Sequence, residues 1–269
     1  MSTTTFTPVV TGGSSGRSRP EQPKTDQGEE QPTPEFLADL AAQSERLESA
    51  TPDEIVAWAA DRFGNGLTMA TAFGPEGCLI LSILAKVAPK TYVFNLDTGY
   101  QFQATLDLRD RIAHRYGIEV EMLRPELSVP EYEALHGGPL YQTNPNQCCL
   151  DRKIKVIRRG LAGRTAWMSG IRRDQSPDRA RAAIVGWDAK FQLVKISPLA
   201  NYTNKDVWRR IVAEQIPYNP MHDQGYPSIG CWPCTKAVVA GDSERAGRWS
   251  GTAKTECGLH TLEQEGSGI

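Results

Sequence analysis

The sequence predicts a single α/β domain in which a mostly parallel sheet is flanked by helices. From residue 67 onward, short apolar segments alternate with longer segments of helical periodicity, a pattern typical of a parallel sheet covered on both faces. Hydrophobic residues make up 39% of the chain and charged residues 23%, which is ordinary for a folded globular protein. The 269 residues are enough for one full core.

Two segments outside this pattern have a different composition. Residues 1–33 are rich in Thr, Ser, Gly, Pro and Gln, so we expect a disordered tail before an α/β domain at residues 34–240. Residues 241–269 are rich in Gly, Ser and charge and are predicted to be a mobile C-terminal segment. The first residues lack the pattern of a secretory signal, and no apolar run is long enough to cross a membrane. These two observations predict a cytoplasmic protein.

The first elements are helices with recognisable start signals. Pro34 begins a helical stretch over residues 35–49. Thr51, Pro52 and Glu54 have the spacing of an N-cap, a first-turn proline and the acidic partner of a capping box. The later segments are predicted as strands at 67–73, 91–96, 118–123, 165–170 and 191–197, and as helices at 77–88, 102–116, 149–161 and 204–215.

A glycine-containing turn at residues 71–77 joins the first predicted strand to a helix. Such a turn presents backbone N–H groups and the positive end of the helix dipole to an anion, which makes Thr71, Gly74 and Gly77 candidate substrate-binding residues. The turn lacks both the GK[ST] ending of a P-loop and the full GxGxxG pattern. A plain tight turn is the alternative.

The next predicted strand ends in Leu-Asp-Thr-Gly at residues 96–99. Ligands of open α/β sheets bind outside the carboxyl ends of strands, so Thr98 is a second candidate contact. The alternative is an Asp-rich turn that caps the helix at Gln101.

A basic loop at residues 171–181 follows the predicted strand at 165–170. Its arginines Arg172, Arg173 and Arg179 are candidates for binding phosphate or sulfate, because guanidinium groups offer paired N–H donors. A solvated charged face is the alternative. The net charge of −2 gives no argument for nucleic-acid binding.

Four cysteines form the most specific local pattern. Cys148 and Cys149 are adjacent, and Cys231 and Cys234 have C-x-x-C spacing. Four thiols make a complete ligand set for zinc or an iron–sulfur centre. Lys153 would lie on the same helical face as Cys149 and would oppose the negative charge of such a centre. A Cys231–Cys234 redox disulfide and ordinary buried thiols remain alternatives.

Cys257 stands apart from the paired cysteines, in a polar segment. Lys254 and His260 lie close to it in sequence, and Arg245 and Arg248 lie upstream. Exposed thiols near positive charge have a lowered pKa and are reactive, so Cys257 is a candidate nucleophile. An incidental cysteine is the alternative.

Together these motifs resemble the assimilatory adenylyl-sulfate (APS) reductases of bacteria and plants, which share a fold with phosphoadenylyl-sulfate (PAPS) reductases. The resemblance runs from about residue 67 to residue 260. It rests on LDTG, the Cys-Cys pair followed by Arg-Lys, GIRRxxSxxR, IPYNPMHDQGYPSIGCWPCT, ERAGRW and ECGLH. It implies an adenine nucleotide alpha-hydrolase-like fold. In that family, chains with both cysteine elements carry a 4Fe-4S cluster and use adenosine 5'-phosphosulfate, whereas chains without them use the 3'-phosphorylated form.

The resemblance also implies an activity. The enzyme would reduce adenosine 5'-phosphosulfate to sulfite and AMP in sulfate assimilation and cysteine biosynthesis. The thiolate of Cys257 would attack the sulfate sulfur to give an S-sulfocysteine, which thioredoxin would then reduce. The implied cluster ligands are Cys148, Cys149, Cys231 and Cys234.

The implied substrate contacts are cations and two turns. The cations that would bind the oxygens around the sulfur are Lys153, Arg245 and Arg248, with His260 in support. The arginines that would clamp the phosphosulfate or the closing C-terminal segment are Arg172, Arg173 and Arg179. The turn at residues 71–77 and Thr98 would hold the nucleotide.

Other functions remain open on the sequence alone. A PAPS reductase and a zinc-stabilised nucleotide-binding module both fit the motifs. A sulfurtransferase that adenylates its target would need a Ser-Gly-Gly-x-Asp-Ser loop, which the chain lacks. A homo-oligomer is compatible with the sequence.

Overall fold

The computed structural model describes residues 31–239, 241–252, 254, 256, 258 and 259. Its secondary structure belongs to one compact unit that begins at Pro32. The predicted disordered tail lies outside the described residues up to residue 30, and Thr33 already caps the first helix.

A six-stranded sheet forms the centre of this described part of the chain. Its strands are β1 (Leu67–Thr71), β2 (Tyr92–Leu96), β3 (Val120–Leu123), β4 (Ala166–Met168), β5 (Val185–Asp188) and β6 (Leu193–Ile196). Their spatial order is β3-β2-β1-β4-β6-β5. Every neighbouring pair is parallel except β5 and β6, which pair antiparallel. The predicted mostly parallel sheet is therefore confirmed.

Helices cover both faces of the sheet. They are α1 (Pro34–Arg46), α2 (Pro52–Phe63), α3 (Pro75–Val87), α4 (Gln103–Tyr116), α5 (Val129–His136), α6 (Leu140–Thr143), α7 (Pro145–Cys149), α8 (Lys155–Leu161) and α9 (Asn204–Ala213). A π-helical turn, Leu150–Ile154, joins α7 to α8. Within the described residues, none of the helices combines the length and the hydropathy needed to span a membrane.

The predicted helix starts have the expected chemistry. The backbone N–H of Glu54 donates to the Thr51 hydroxyl at 3.3 Å, and the backbone N–H of Thr51 donates to the Glu54 carboxylate at 2.7 Å. This capping box satisfies backbone donors that a helix cannot pair internally.

Two hydrophobic clusters lie on opposite faces of the sheet. The larger one includes Met69 and Ile83, with side chains of α2, α4 and α9 around them. The smaller one joins Phe94 and Trp167 to Ile157 of α8. Because successive side chains of a strand point to opposite faces, the neighbouring residues of β2 and β4 serve different clusters. The sheet is buried on both sides.

Sequence analysis missed the short helices α5, α6 and α7 and the strand β5. Helix α5 carries a capping box between Ser128 and Glu131, a signal that was present but masked by its short length. Strand β5 is an edge strand of four residues, too short for a clear alternating pattern. The first predicted strand also ends earlier, at Thr71, because Phe73 has a left-handed backbone with φ of 56°.

Part of the described C-terminal segment packs onto the domain. Trp249 is buried, and its backbone N–H donates to the carbonyl oxygen of Cys234 at 3.1 Å. Thr235 and Arg248 form a single antiparallel bridge. The predicted mobility of the segment stays a prediction.

Candidate active site

A cavity of about 240 Å³ lies at the carboxyl ends of β1, β2 and β4. The strand order reverses here, because β2 lies on one side of β1 and β4 on the other. Such a switch point is the usual ligand crevice of an open α/β sheet. The C-terminal segment contributes to the lining through Glu244, Arg245, Arg248, Trp249, Glu256 and Leu259.

The turn after β1 forms one wall of this cavity. The hydroxyl of Thr71 accepts a hydrogen bond from the backbone N–H of Phe73 at 3.1 Å. Gly74 caps α3, and a Cβ on Gly77 would lie only 2.7 Å from the Thr71 hydroxyl oxygen. Glycine at 77 therefore lets the helix start pack closely behind the strand end. Thr71, Gly74 and Gly77 all line the cavity.

The turn after β2 forms an adjoining wall. The amide of Asn95 donates to the carbonyl oxygen of Thr71 at 2.8 Å, and the amide of Gln101 donates to Asn95 at 2.6 Å. Thr98 lines the cavity. Asp97 instead accepts from Gly99 N–H at 3.1 Å and from the Arg124 guanidinium, so its carboxylate supports the turn.

Several buried polar atoms around the cavity have no hydrogen-bond partner among the described residues. They are Gln101 Oε1, Ser169 Oγ, both ring nitrogens of His222, and Arg248 Nε. Buried polar groups in folded proteins are almost always paired. Their convergence on one cavity suits a polar ligand.

Cations line the same cavity. They are Lys153, Arg179, Arg245 and Arg248. The guanidinium of Arg248 lies 4.5 Å from the centre of the Trp249 ring and donates to Ser228 Oγ at 3.3 Å. A Cβ at Gly230 would collide with that guanidinium, so the glycine makes room for the arginine. These side chains suit an anionic ligand.

A carboxylate of the C-terminal segment holds two of those arginines. Glu256 accepts from Arg179 Nε and Nη2 at 3.1 and 2.8 Å, and from Arg245 at 3.0 Å. Its side chain is 3% exposed. Glu256 therefore links the loop after β4 to the C-terminal segment.

The structure does not bring Arg172 and Arg173 to the cavity lining. Arg172 is 1% exposed and pairs with the carboxylates of Glu76, Asp174 and Glu244. Arg173 pairs with Glu48 at 2.6 Å and donates from Nε to the Ala182 carbonyl at 2.7 Å. Since the described contacts of these two arginines are internal, the geometry favours structural roles, and their predicted substrate binding stays a prediction.

The four paired cysteines border a second, smaller cavity. Burial raises the pKa of Cys148 to about 12, and the neighbouring thiols add to the shift while Lys153 opposes it. Among the described residues, Cys231 and Cys234 are not joined by a disulfide. Within that part of the chain, no three His, Cys, Asp or Glu side chains converge to hold one metal ion; the thiols surround a space instead. As a donor set, four thiols suit a metal cluster.

The two cavities share a wall. Thr98, Lys153, Cys231 and Trp249 line both of them. The hydroxyl of Thr98 and the sulfur of Cys231 share a hydrogen bond at 3.2 Å. Lys153 reaches this wall from the π-helical turn, a feature that is frequent at functional sites.

Cys257 and His260 lie outside the described residues. Their predicted roles as nucleophile and supporting cation stay predictions. The described neighbours Glu256 and Leu259 line the cavity.

Comparison with known proteins identifies the family. The sequence family described as the phosphoadenosine phosphosulfate reductase domain matches residues 66–237, more than half of the chain. This chain belongs to that family. The matched range contains the walls formed by β1, β2 and β4 and the four paired cysteines.

Relatives in this reductase family are similar along most of their length. One from Gloeobacter violaceus is 46% identical over 83% of this chain and 93% of its own, and is named phosphoadenosine 5'-phosphosulfate reductase. One from Salinibacter ruber is 44% identical over 85% of this chain and 91% of its own, and is named adenosine 5'-phosphosulfate reductase. The crystal structure of a phosphoadenylyl-sulfate reductase from Candida auris, a phosphate complex, matches this fold with a TM-score of 0.67. The match has 28% sequence identity and covers 77% of this chain and 98% of that one.

Sequence analysis missed several groups of this reductase-family site. Gln101 could have been found, because it follows a predicted strand end. His222 lies in a loop without periodicity, and no sequence signal placed it at the cavity. Glu256 was part of a recognised motif, but its pairing with Arg179 depends on residues 77 positions apart.

Proposed function

We propose that this chain reduces adenosine 5'-phosphosulfate to sulfite and AMP, with Cys257 as the nucleophile. The supporting observation is the shared wall: a cavity with cations and unpaired buried polar groups lies directly beside four thiols. The names of the relatives support the same reaction class. The pathway we propose is sulfate assimilation leading to cysteine biosynthesis.

The first chemical step is sulfonate transfer to the enzyme. The thiolate of Cys257 attacks the sulfate sulfur, an S–S bond forms, and the bond from sulfur to the bridging oxygen breaks. AMP leaves with that oxygen. Lys153 and Arg248 line the cavity as cations and would offset the repulsion between a thiolate and the oxygens around the sulfur, a form of electrostatic stabilisation.

The second step is reduction by a dithiol. One thiol of a protein such as thioredoxin attacks the Cys257 sulfur of the S-sulfocysteine, sulfite leaves, and the second thiol closes a disulfide that regenerates Cys257. The two electrons that reduce the sulfur come from this dithiol. The predicted cytoplasmic setting suits such a reductant, since dithiol reductants keep thiols reduced there.

A 4Fe-4S cluster is the cofactor we propose for the second cavity. Cys148, Cys149, Cys231 and Cys234 would hold it, with Thr98 bonded to one of the four sulfurs. When bound, the cluster would supply charge beside Lys153 and so tune the field at the shared wall. In the alternative of a zinc-stabilised nucleotide-binding module, the same four thiols would hold a zinc ion.

Reduction of the 3'-phosphorylated nucleotide is the second candidate function, favoured by the name of the Gloeobacter relative. The paired cysteine elements favour adenosine 5'-phosphosulfate by resemblance. Steady-state rates with both nucleotides distinguish the two, and a strong preference for the 3'-phosphorylated one would overturn our substrate assignment.

The deciding experiment is mass spectrometry of purified protein mixed with adenosine 5'-phosphosulfate in the absence of thioredoxin. We expect one sulfonate on the peptide that contains Cys257, and none in Cys257→Ser, which should retain its iron and bind AMP. Cys231→Ser should lose the iron and the acid-labile sulfide. A sulfonate on another residue, or a colourless protein that contains zinc, would contradict the proposal.

A further inference from the structure

We infer that a three-point clasp holds the C-terminal segment over the cavity, and that Lys190 and Glu256 are positioning residues for Cys257. The clasp consists of the Glu256 carboxylate on two arginines, the Lys190 ammonium on the Gly258 carbonyl, and the Leu259 side chain in an apolar cluster. The inference rests on the proposed function for its nucleophile.

The first point of the clasp is an enclosed ion pair. Both N–H donors of the Arg179 side chain that face Glu256 bind the same carboxylate oxygen, and Arg245 binds the other oxygen. Arg179 is itself held by Gln175, which accepts from its Nη1 at 2.6 Å. Because removing one partner of a buried pair leaves an uncompensated charge, release of Glu256 from this pair is costly.

The second point comes from the hairpin of β5 and β6. Lys190 lies in the turn between these strands, and its ammonium donates to the Gly258 carbonyl oxygen at 2.6 Å. The turn is closed by Phe191 N–H, which donates to the Asp188 carbonyl at 3.2 Å, and by the Gln192 side chain, which donates to the Ala189 carbonyl at 2.6 Å. A lysine on a closed turn can hold a backbone carbonyl in a defined place.

The third point is apolar. Leu259 packs against the smaller hydrophobic cluster, which contains Phe94, Trp167 and Leu193. It also lines the cavity. Partial burial of this leucine side chain removes apolar surface from water, so this contact adds to the two polar points.

The three contacts of the clasp flank Cys257 in the sequence. Cys257 is joined by peptide bonds to Glu256 on one side and to Gly258 on the other, and both neighbours are held. Misplacement of a reacting group by about 1 Å can cost about 100-fold in rate. A clasp on both flanks therefore restricts the position of the nucleophile.

The test compares Lys190→Met and Glu256→Gln with the wild-type holoenzyme. Lys190→Arg keeps a charged donor, and Lys205→Met removes an exposed lysine on α9 as the matched control. Three quantities are measured: amide hydrogen exchange of the peptide that spans residues 250–260, the dissociation constant of AMP by calorimetry, and the single-turnover rate of sulfonation of Cys257 at saturating adenosine 5'-phosphosulfate.

We expect Lys190→Met and Glu256→Gln to exchange faster in that peptide and to slow sulfonation by on the order of tenfold, with the AMP dissociation constant of Lys190→Met, whose lysine lies outside the cavity lining, changed less than about twofold. Lys190→Arg and Lys205→Met should behave as wild type. Unchanged exchange in both variants, or an AMP affinity that falls as much as the rate, would overturn the clasp. If the wild type forms no adduct at Cys257, the proposed function fails, while the exchange data still decide whether the clasp exists.

Discussion

The guanidinium of Arg152 donates from Nε to the carbonyl oxygen of Thr98 at 2.7 Å and so ties the π-helical turn to the turn after β2. Arg152 is buried, donates to the Leu127 carbonyl at 3.2 Å and lies over the rings of Tyr100 and Tyr132. The Arg152 side chain thus connects the smaller cavity, which the four cysteines border, to the larger cavity at the carboxyl ends of β1, β2 and β4.

Replacing Arg152 should damage both cavities together. Arg152→Met leaves the carbonyl groups of Thr98 and Leu127 without these donors, so we expect a loss of about 2–3 kcal/mol in the free energy of unfolding. Iron content and AMP affinity should fall with it. Urea titration, iron analysis and calorimetry measure the three effects. Arg158→Met, at an exposed position of α8, is the control, and a stable Arg152→Met variant with full iron content would contradict the bracing role.

Arg172 and Arg173 are adjacent but should respond very differently to substitution. Arg172→Met removes the buried cation that pairs with the carboxylates of Glu76, Asp174 and Glu244. We therefore expect the free energy of unfolding to fall by about 3–5 kcal/mol. Arg173→Met removes a partly exposed pair with Glu48, which should cost about 1 kcal/mol. Chemical denaturation of both variants tests this, and equal losses would show that burial is not the deciding factor.

Gly77→Ala should weaken nucleotide binding more than it weakens the fold. The new methyl group would lie 2.7 Å from the Thr71 hydroxyl oxygen, so the hydroxyl must move away from the backbone N–H of Phe73 that it accepts from. We expect AMP affinity to fall by about tenfold, or about 1.4 kcal/mol, in calorimetry. Gly186→Ala meets an ordinary contact of 3.5 Å and should bind AMP as wild type does. If both variants bind equally well, the close approach has no role in binding.

His222 should make the unfolding free energy depend on pH. Burial lowers the pKa of His222 below its ordinary value, against smaller opposite effects of Tyr226 and Asp223. Between the unfolded pKa of about 6.5 and the lower folded pKa, the unfolded chain binds more protons. Stability therefore falls as pH decreases through this window, with a slope of at most about 1.4 kcal/mol per pH unit from this group.

The measurement is urea unfolding as a function of pH for His222→Gln. This variant cannot titrate and should lose that part of the slope. His114→Gln, at an exposed position, should keep it. An unchanged slope in His222→Gln would assign the pH dependence to other groups.

The larger part of the fold could be predicted because its signals are local. The segments that became β1, β2 and β6 are short and rich in apolar residues. Thr51 and Glu54 indicate a helix start within four residues. Strand β5 could not be predicted, since it exists only by pairing with β6. Its four residues have no pattern of their own.

The residues of the candidate site also divide into those that local sequence signals could place and those that depend on distant partners. Thr71 and Thr98 could be placed at the cavity because parallel strands bring their carboxyl ends to one edge of a sheet. The arginines could not be sorted from sequence. Arg172 and Arg179 share one loop, yet Arg172 is enclosed by carboxylates that include Glu244, whereas Arg179 lines the cavity and holds Glu256.

By itself, the sequence determined most of the strands and helices that alternate along the chain, the turns that open at the cavity, and the four thiols that can share a ligand, because each depends on neighbours within a few positions. The tertiary structure alone decided which cations face the cavity and what holds the segment around Cys257. Those outcomes depend on contacts such as the Arg172–Glu244 ion pair and the hydrogen bond from Lys190 to the Gly258 carbonyl, whose partners are 72 and 68 residues apart. Electrostatic and hydrogen-bond partners are chosen by distance in space, and folding alone sets that distance.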